Sequence, residues 1–494
     1  MKILLVYPEV PDTFWGFRHI LKFSKVRATQ PPLGLLTVAA MLPQEWDKKL
    51  VDINVSKLKD EDLEWADYVF ISAMAIQRKS VEEVIDRCML AGVKIVAGGP
   101  LFSTESERYM ECDHLVLNEA EITLPQFLAD LEKGTPRHVY TSDEFVDMAE
   151  TPAPLWSIVE MDRYVLMNIQ YSRGCPFDCE FCSIPVLYGE RVRTKSADQI
   201  ISELELIYAN GWRGSVFFVD DNLIGNKKQL KKEILPAIIE WQERRGRPFA
   251  FQTETSINLA DDQKLMDLMV EAGFNSVFIG IETPNEESLA ECNKVQNKNR
   301  DMLESIKLIQ SSGMLVSAGF IIGFDNDTPT IFERMTDFIS QSGVVSAMVG
   351  LLNAPMHSRL HVRMQKEGRM IDGIHSDHMD YTMNFKPKMD LDTLLKGYKG
   401  VIRDIYSLGP YYERIRKFMN NYRTKTVIRY HLKWWHIVAI FKSFFVLGFR
   451  EKGKSHFWKL FFWTLTRHPR LFPMAMTLAI YGLHYRKFYH SVLS

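Results

Sequence analysis

Short runs rich in Val, Ile and Leu recur from Lys2 to Leu351, and stretches of helical periodicity separate most of them. A strand apolar on both faces and followed by a helix implies a parallel sheet covered by helices. The chain is thereby committed to an α/β fold. The rhythm comes in two blocks. In the first, strands are expected at residues 2–7, 50–53, 68–73, 93–97 and 114–117, with a helical stretch at 80–90. In the second they are expected at 167–171, 216–219, 249–252, 276–280, 315–322 and 344–351, with helices over 228–244, 261–271, 300–311 and 330–340. Between the blocks, residues 140–162 are acidic, carry Pro152 and Pro154 and lack periodicity, as a linker would.

These patterns predict an N-terminal doubly wound parallel sheet over residues 1–140, a linker over 141–165, a central partial (β/α)6 barrel over 166–370 and a mostly helical region over 371–494. At 494 residues there is length for two or three cores, and 46% apolar with 25% charged residues is ordinary for a globular protein. Met1-Lys2-Ile3-Leu4-Leu5-Val6-Tyr7-Pro8 is closed by proline with no small-residue cleavage site, and reads as a first strand instead of a secretory leader. Six cysteines, three of them in one loop, do not make a disulfide framework, and a reducing, cytoplasmic compartment is expected.

That loop is Gln170-Tyr171-Ser172-Arg173-Gly174-Cys175-Pro176-Phe177-Asp178-Cys179-Glu180-Phe181-Cys182, with the spacing C-x3-C-x2-C. Thiolates are soft ligands for zinc or iron–sulfur clusters, and a loop this tight can direct three sulfurs at one centre. A structural zinc takes four closed ligands, and no fourth Cys or His lies within the loop or just beyond it. Three sulfurs favour a cluster with one open iron, with a three-cysteine zinc site as the alternative.

With an aromatic residue before its third cysteine, the loop resembles the signature of the radical S-adenosylmethionine (SAM) superfamily. The resemblance implies that Cys175, Cys179 and Cys182 bind a [4Fe–4S] cluster and that SAM completes the fourth iron. It further implies that SAM groups meet polar residues at the carboxyl ends of strands: Asp221 and Asn222 in Asp220-Asp221-Asn222, Glu254, and Glu282 in Gly280-Ile281-Glu282-Thr283. The other reading of each is a helix cap. Gly319-Phe320-Ile321-Ile322-Gly323-Phe324 resembles the family's fifth-strand motif, and Arg191 and Arg193 are offered as partners for a SAM carboxylate or a corrin amide.

Upstream, Ala97-Gly98-Gly99-Pro100 ends a strand, Asn118-Glu119-Ala120-Glu121 ends the next, and Gln30-Pro31-Pro32-Leu33-Gly34 lies near the front. Together with the cysteine loop they resemble the cobalamin-binding domain of class B radical SAM enzymes, which implies cobalamin contacts from Gly34, Gly98, Gly99, Pro100 and Glu119. Asp-x-His-x-x-Gly, which supplies a histidine to cobalt in many cobalamin proteins, is missing, and no histidine ligand is expected from that loop.

The whole chain is most similar to the subgroup with an extra helical C-terminal region that includes hopanoid C-2 methylases. That resemblance implies C-methylation of an unactivated carbon, with a lipid such as a hopanoid as substrate and flavodoxin or ferredoxin as electron donor. A radical cyclisation, coupling or rearrangement that transfers no methyl uses the same cofactors and is the alternative.

Residues 421–494 hold 13 Lys and Arg against the single acid Glu451, whereas residues 1–420 hold 47 against 61 Asp and Glu. Basic residues thread Trp- and Phe-rich stretches at 434–449, 456–463 and 471–483, none of which reaches the ~20 uninterrupted apolar residues of a spanning helix. The pattern suits a segment lying on the inner face of a membrane, or else a helical cap whose aromatics pack on the barrel. No nucleic-acid module is recognisable, and no nucleic-acid partner is expected.

Overall fold

The computed structural model describes residues 1–21, 25–371, 382–423 and 434–493, without the side chains of 434–437, 439, 440, 492 and 493. The basic residues Lys425, Arg429 and Lys433, counted in the tail's charge, lie outside the described residues, as do the side chains that open the aromatic run at Trp434. The chain divides into two compact units. The first comprises Met1–Pro11, Arg27–Pro176 and Ser183–Trp212, the second Asp12–Val26, Phe177–Cys182 and Arg213–Ser494.

The first unit is built on a six-stranded parallel sheet of β1 (Lys2–Tyr7), β2 (Asp47–Asp52), β3 (Tyr68–Ser72), β4 (Lys94–Gly98), β5 (His114–Val116) and β6 (Val139–Tyr140), in the order β2-β1-β3-β4-β5-β6. Side chains alternate across a strand, so Leu4 and Val6 pack with Ile71, Val81 and Ile85 on one face while Ile3 and Leu5 pack with Leu35, Phe70 and Phe127 on the other. Both faces are thus buried under helices, among them Leu33–Met41, Arg78–Ala91 and Ala120–Glu132. This is the doubly wound sheet that the apolar runs predict. The unit also holds β7 (Leu166–Ile169) and the antiparallel pair β8 (Ser172–Arg173) and β9 (Arg193–Thr194).

In the second unit, β10 (Ser215–Phe218), β11 (Ala250–Thr255), β12 (Phe274–Glu282), β13 (Leu315–Ile322) and β14 (Ala347–Leu351) pair in parallel in sequence order. Helices Gln263–Ala272, Met302–Ser312 and Ile331–Ser342 separate successive strands, each ended by a glycine in the left-handed region. Asp262 and Asp301 start the first two by accepting from Leu265 and Glu304 backbone N–H groups. The expected helix over 228–244 is interrupted at Leu230–Ile234 by a wider π turn.

The C-terminal region is helical: Arg359–Lys366, Leu391–Tyr406, Leu408–Asn421, Trp434–Phe445, Lys454–Arg467 and Phe472–Leu493. Buried tyrosines fasten it to the sheet. The Tyr406 hydroxyl donates to Ala347 O at 2.6 Å and accepts from Ala347 N at 3.1 Å, and Tyr398 donates to Val349 O at 2.9 Å. Tyr485 donates to Ser346 Oγ at 2.8 Å and stacks on Phe14 with ring centroids 4.2 Å apart. Leu471, Leu478, Ala479 and Leu483 are buried as well, so one side of the stretch over 471–483 packs within the unit. No helix among the described residues is long and apolar enough to cross a membrane.

Candidate functional site

Gly174 opens the cysteine loop at φ +87°, and a Cβ there would lie 2.6 Å from Arg191 O and 2.9 Å from Gly189 O. Only glycine allows this approach, and it leaves Cys175 N donating to Gly189 O at 3.4 Å. Further along, Cys179 is buried and lies 3.8 Å from Gln296 Nε2, and Cys182 N donates to Cys179 O at 3.0 Å. None of the six cysteines is paired in a disulfide. Among the described residues, no three or more His, Cys, Asp and Glu side chains are gathered as a metal site.

The loop between the second and third cysteines is held from distant parts of the chain. Glu180 N donates to Cys292 O, Leu360 N to Glu180 O and Asn293 Nδ2 to Asp178 O, each at 2.9 Å. Arg363 grips the Glu180 carboxylate through Nε at 2.7 Å and a terminal nitrogen at 3.0 Å, a two-pronged pairing that fixes orientation. Arg359 pairs with Asp178. Arg363 also reaches Asp325 at 2.9 Å, and Arg369 reaches Asp325 at 2.7 Å. Burial alone would raise the Asp325 carboxyl, but these arginines hold it down at about 2.

Three of the expected SAM residues lie at the strand ends in different states. Glu282 sits at φ +65°, where the pairing of β12 with β13 shifts register, and this bulge turns its buried carboxylate onto Lys294 at 2.7 Å. Gly280 makes the room, since a Cβ there would lie 2.4 Å from Glu282 Oε1 and 2.9 Å from Lys294 Nζ. Burial works against the Lys294 charge, yet Glu282 and Cys179 keep its ammonium well above the usual lysine range. Glu254 is half-buried beside Asp221 and Asp220, and burial first, then these two acids, push its carboxyl up to about 8. Asn222 is occupied within the protein. Its amide donates to Ser256 Oγ and accepts from Ser256 N, both at 3.2 Å, and so ties the end of β10 to the end of β11.

In the first unit, a Cβ on Gly98 would lie 2.4 Å from Val116 O, and one on Gly99, at φ +89°, would lie 2.4 Å from Ser72 Oγ. Internal packing alone therefore requires both glycines ahead of the helix Pro100–Thr104. Gly34 faces open space at the start of its helix, with nothing within 4 Å of the Cβ position.

Glu119 does not offer its carboxylate to a ligand. Oε1 accepts from Arg173 at 3.2 Å and Arg193 at 2.9 Å, and Oε2 accepts from Arg193 and Val146 N at 2.8 and 2.7 Å, which fills its lone pairs. Arg193 is likewise committed to Glu119, Val146 O and Tyr188 O instead of a cofactor. Sequence reasoning missed Lys294, Gln296, Arg359 and Arg363. No local motif marks them, because their partners lie up to 183 residues away.

A doubly wound sheet, then a β/α repeat whose entry loop carries three cysteines and whose strand ends carry carboxylates, is the arrangement that the resemblance to cobalamin-dependent radical SAM enzymes implies. Family models for a B12 binding domain match residues 23–128, for the Radical SAM superfamily residues 169–339, and for a Domain of unknown function (DUF4070) residues 358–494. The chain is 38% identical to an uncharacterized methyltransferase of Synechocystis sp. over 99% of this chain and 92% of that one. It is also 38% identical to the hopanoid C-2 methylase of Rhodopseudomonas palustris over 78% of this chain and 73% of that one. The fold matches the radical SAM methyltransferase TsrM of Kitasatospora setae, solved with cobalamin and a [4Fe–4S] cluster bound, at TM-score 0.63 and 14% identity with both chains fully covered. The chain belongs to the cobalamin-dependent radical SAM methyltransferases, and its cofactors are a [4Fe–4S] cluster, SAM and cobalamin.

The raised Glu254 carboxyl has a measurable consequence. Unfolded, it ionises near 4.5; folded, it keeps its proton up to about 8. The folded state binds more protons between these values, so stability falls as pH rises through that window. Thermal unfolding of the cofactor-free chain between pH 6 and 9 should show this slope, and Glu254→Gln should flatten it. An unchanged slope in the variant would mean that another group is responsible.

Proposed function

We propose that this chain transfers a methyl group to an unactivated carbon of a polycyclic lipid of the hopanoid kind. The observation that carries the reading is its 38% identity to the hopanoid C-2 methylase across 73% of that enzyme. Cys175, Cys179 and Cys182 would hold the cluster, with soft thiolates suited to iron and one iron left for SAM. Asp221 and Glu254 would accept hydrogen bonds from the SAM amino and ribose groups, and Glu282, locked by Lys294, would line the same strand ends. Gly34 and the backbone at Gly98, Gly99 and Pro100 would border the corrin, with Glu119 acting indirectly by fixing Arg173 and Arg193.

The cluster would supply the electron that cleaves SAM, and cobalamin would carry the methyl group. The protein's part is to set the target C–H, the nucleoside and the methyl carrier in line and to exclude water. A flavodoxin or ferredoxin would be the reductant, and the enzyme would work in the cytoplasm, at the inner face of the membrane.

The test is anaerobic turnover of the reconstituted enzyme with a hopanoid. A methylase forms S-adenosylhomocysteine and 5′-deoxyadenosine together with a product one methyl heavier. Deoxyadenosine with an unmethylated, rearranged product would overturn methylation in favour of radical rearrangement, and no turnover of any hopanoid would overturn the lipid class.

A further inference from the structure

In the C-terminal region, Phe441, Phe445, Phe449 and Phe462 are 70, 54, 57 and 57% exposed, far more than the aromatics packed beneath them. Residues four apart lie on one side of an α-helix, drifting by only about 40° at each step, so Phe441, Phe445 and Phe449 share a face. After Phe445 the helix widens into a π turn over Val446–Arg450, where each residue rotates less about the axis and that drift shrinks, and Phe449 lies beside Phe445 at 5.8 Å between ring centroids. Phe449 meets Trp458 at 5.8 Å, and Trp458 stacks on Phe462 at 5.7 Å, so two helices share one surface of rings. Exposed Lys442, Arg450 and Lys459 flank it, and Glu451 is the single acid from 421 to 494.

We propose that this ring surface docks the enzyme on an anionic lipid bilayer, the rings entering the interface and the flanking cations meeting headgroups. Rings at the centre with cations at the edge suit a surface that is apolar within and anionic at its boundary. Trp458 is anchored by its indole N–H to Gly448 O at 2.9 Å, which makes the patch a preformed, rigid platform. The role deepens, and in part rests on, the lipid reading above, because a lipid substrate has to be reached where it resides. Docking needs no turnover, so the two can fail separately.

The test is co-sedimentation of the full chain, cofactors loaded, with vesicles of phosphatidylcholine alone or mixed equally with phosphatidylglycerol. Binding is expected on the mixed vesicles, falling with salt, with a blue shift of tryptophan emission. The triple variant Phe441→Ser, Phe445→Ser, Phe449→Ser should bind at least about tenfold more weakly, as should Lys442→Glu with Arg450→Glu and Lys459→Glu. An unchanged melting temperature will show that these exposed changes leave the fold intact. Wild-type protein that stays in solution, or a triple Phe variant that binds like wild type, would overturn the proposal. So would sedimentation showing that the Phe changes dissolve a dimer and leave vesicle binding intact.

Discussion

Replacing Cys179 with Ala should leave the protein folded but unable to retain its iron, and SAM cleavage to 5′-deoxyadenosine should fall below detection. On the proposed ligation two thiolates cannot hold the cluster, and among the described residues no further group is gathered to take the third place. Cys292 comes close to the loop, but its thiol donates to Leu289 O at 3.7 Å and burial pushes that thiol far above its ordinary range. Iron analysis and the electron paramagnetic resonance signal of the reduced cluster give the readout. Cys88→Ala is the matched control: Cys88 lies fully buried in the core of the first sheet, so losing its sulfur weakens packing and leaves iron content unchanged. Full iron in the Cys179 variant would remove the loop from the cluster.

The second large effect is expected at Arg173. Its guanidinium reaches Glu119 at 3.2 Å and Glu121 at 2.7 Å; Glu119 is buried, and the Arg173 and Glu121 side chains are only 12 and 5% exposed. Burial would raise the Glu121 carboxyl, but Arg173 overcomes this and holds it below the usual range. Arg173→Met keeps much of the volume and strands a buried carboxylate, a change that costs about 3–5 kcal/mol. The sign with pH follows. A depressed carboxyl contributes stability above its unfolded value of 4.5 and loses it as pH falls through the lower folded value, so the gap between variant and wild type should be widest near neutrality and close toward acid. Chemical denaturation at two pH values measures it. A gap independent of pH would assign the loss to packing instead of charge.

The α/β class, the doubly wound sheet and the cysteine loop were legible because each rests on a local signal: apolar runs, periodicity, or spacing within a few residues. β6 was not, since Val139–Tyr140 is two residues long and adjoins an acidic, proline-bearing stretch. The role of Glu119 was read as a ligand contact because a carboxylate after a strand end looks available, and its arginines stand 54 and 74 residues away. Glu282 was found by its place in Gly-Ile-Glu-Thr, but its lock on Lys294 depends on a register shift that no periodicity encodes. The tail divided in the same way. Its basic, aromatic composition was plain, whereas which rings pack and which stay exposed depended on tyrosine hydrogen bonds to a sheet far upstream.

The helix Arg359–Lys366, at the start of the region matched by the domain of unknown function, carries the two arginines that hold Asp178 and Glu180. The tail is therefore no detachable module, because two of its side chains hold the loop that carries Cys179. A graft that replaced residues 358–494 without arginines at 359 and 363 would leave Asp178 and Glu180, the acids on either side of Cys179, without the partners that hold them.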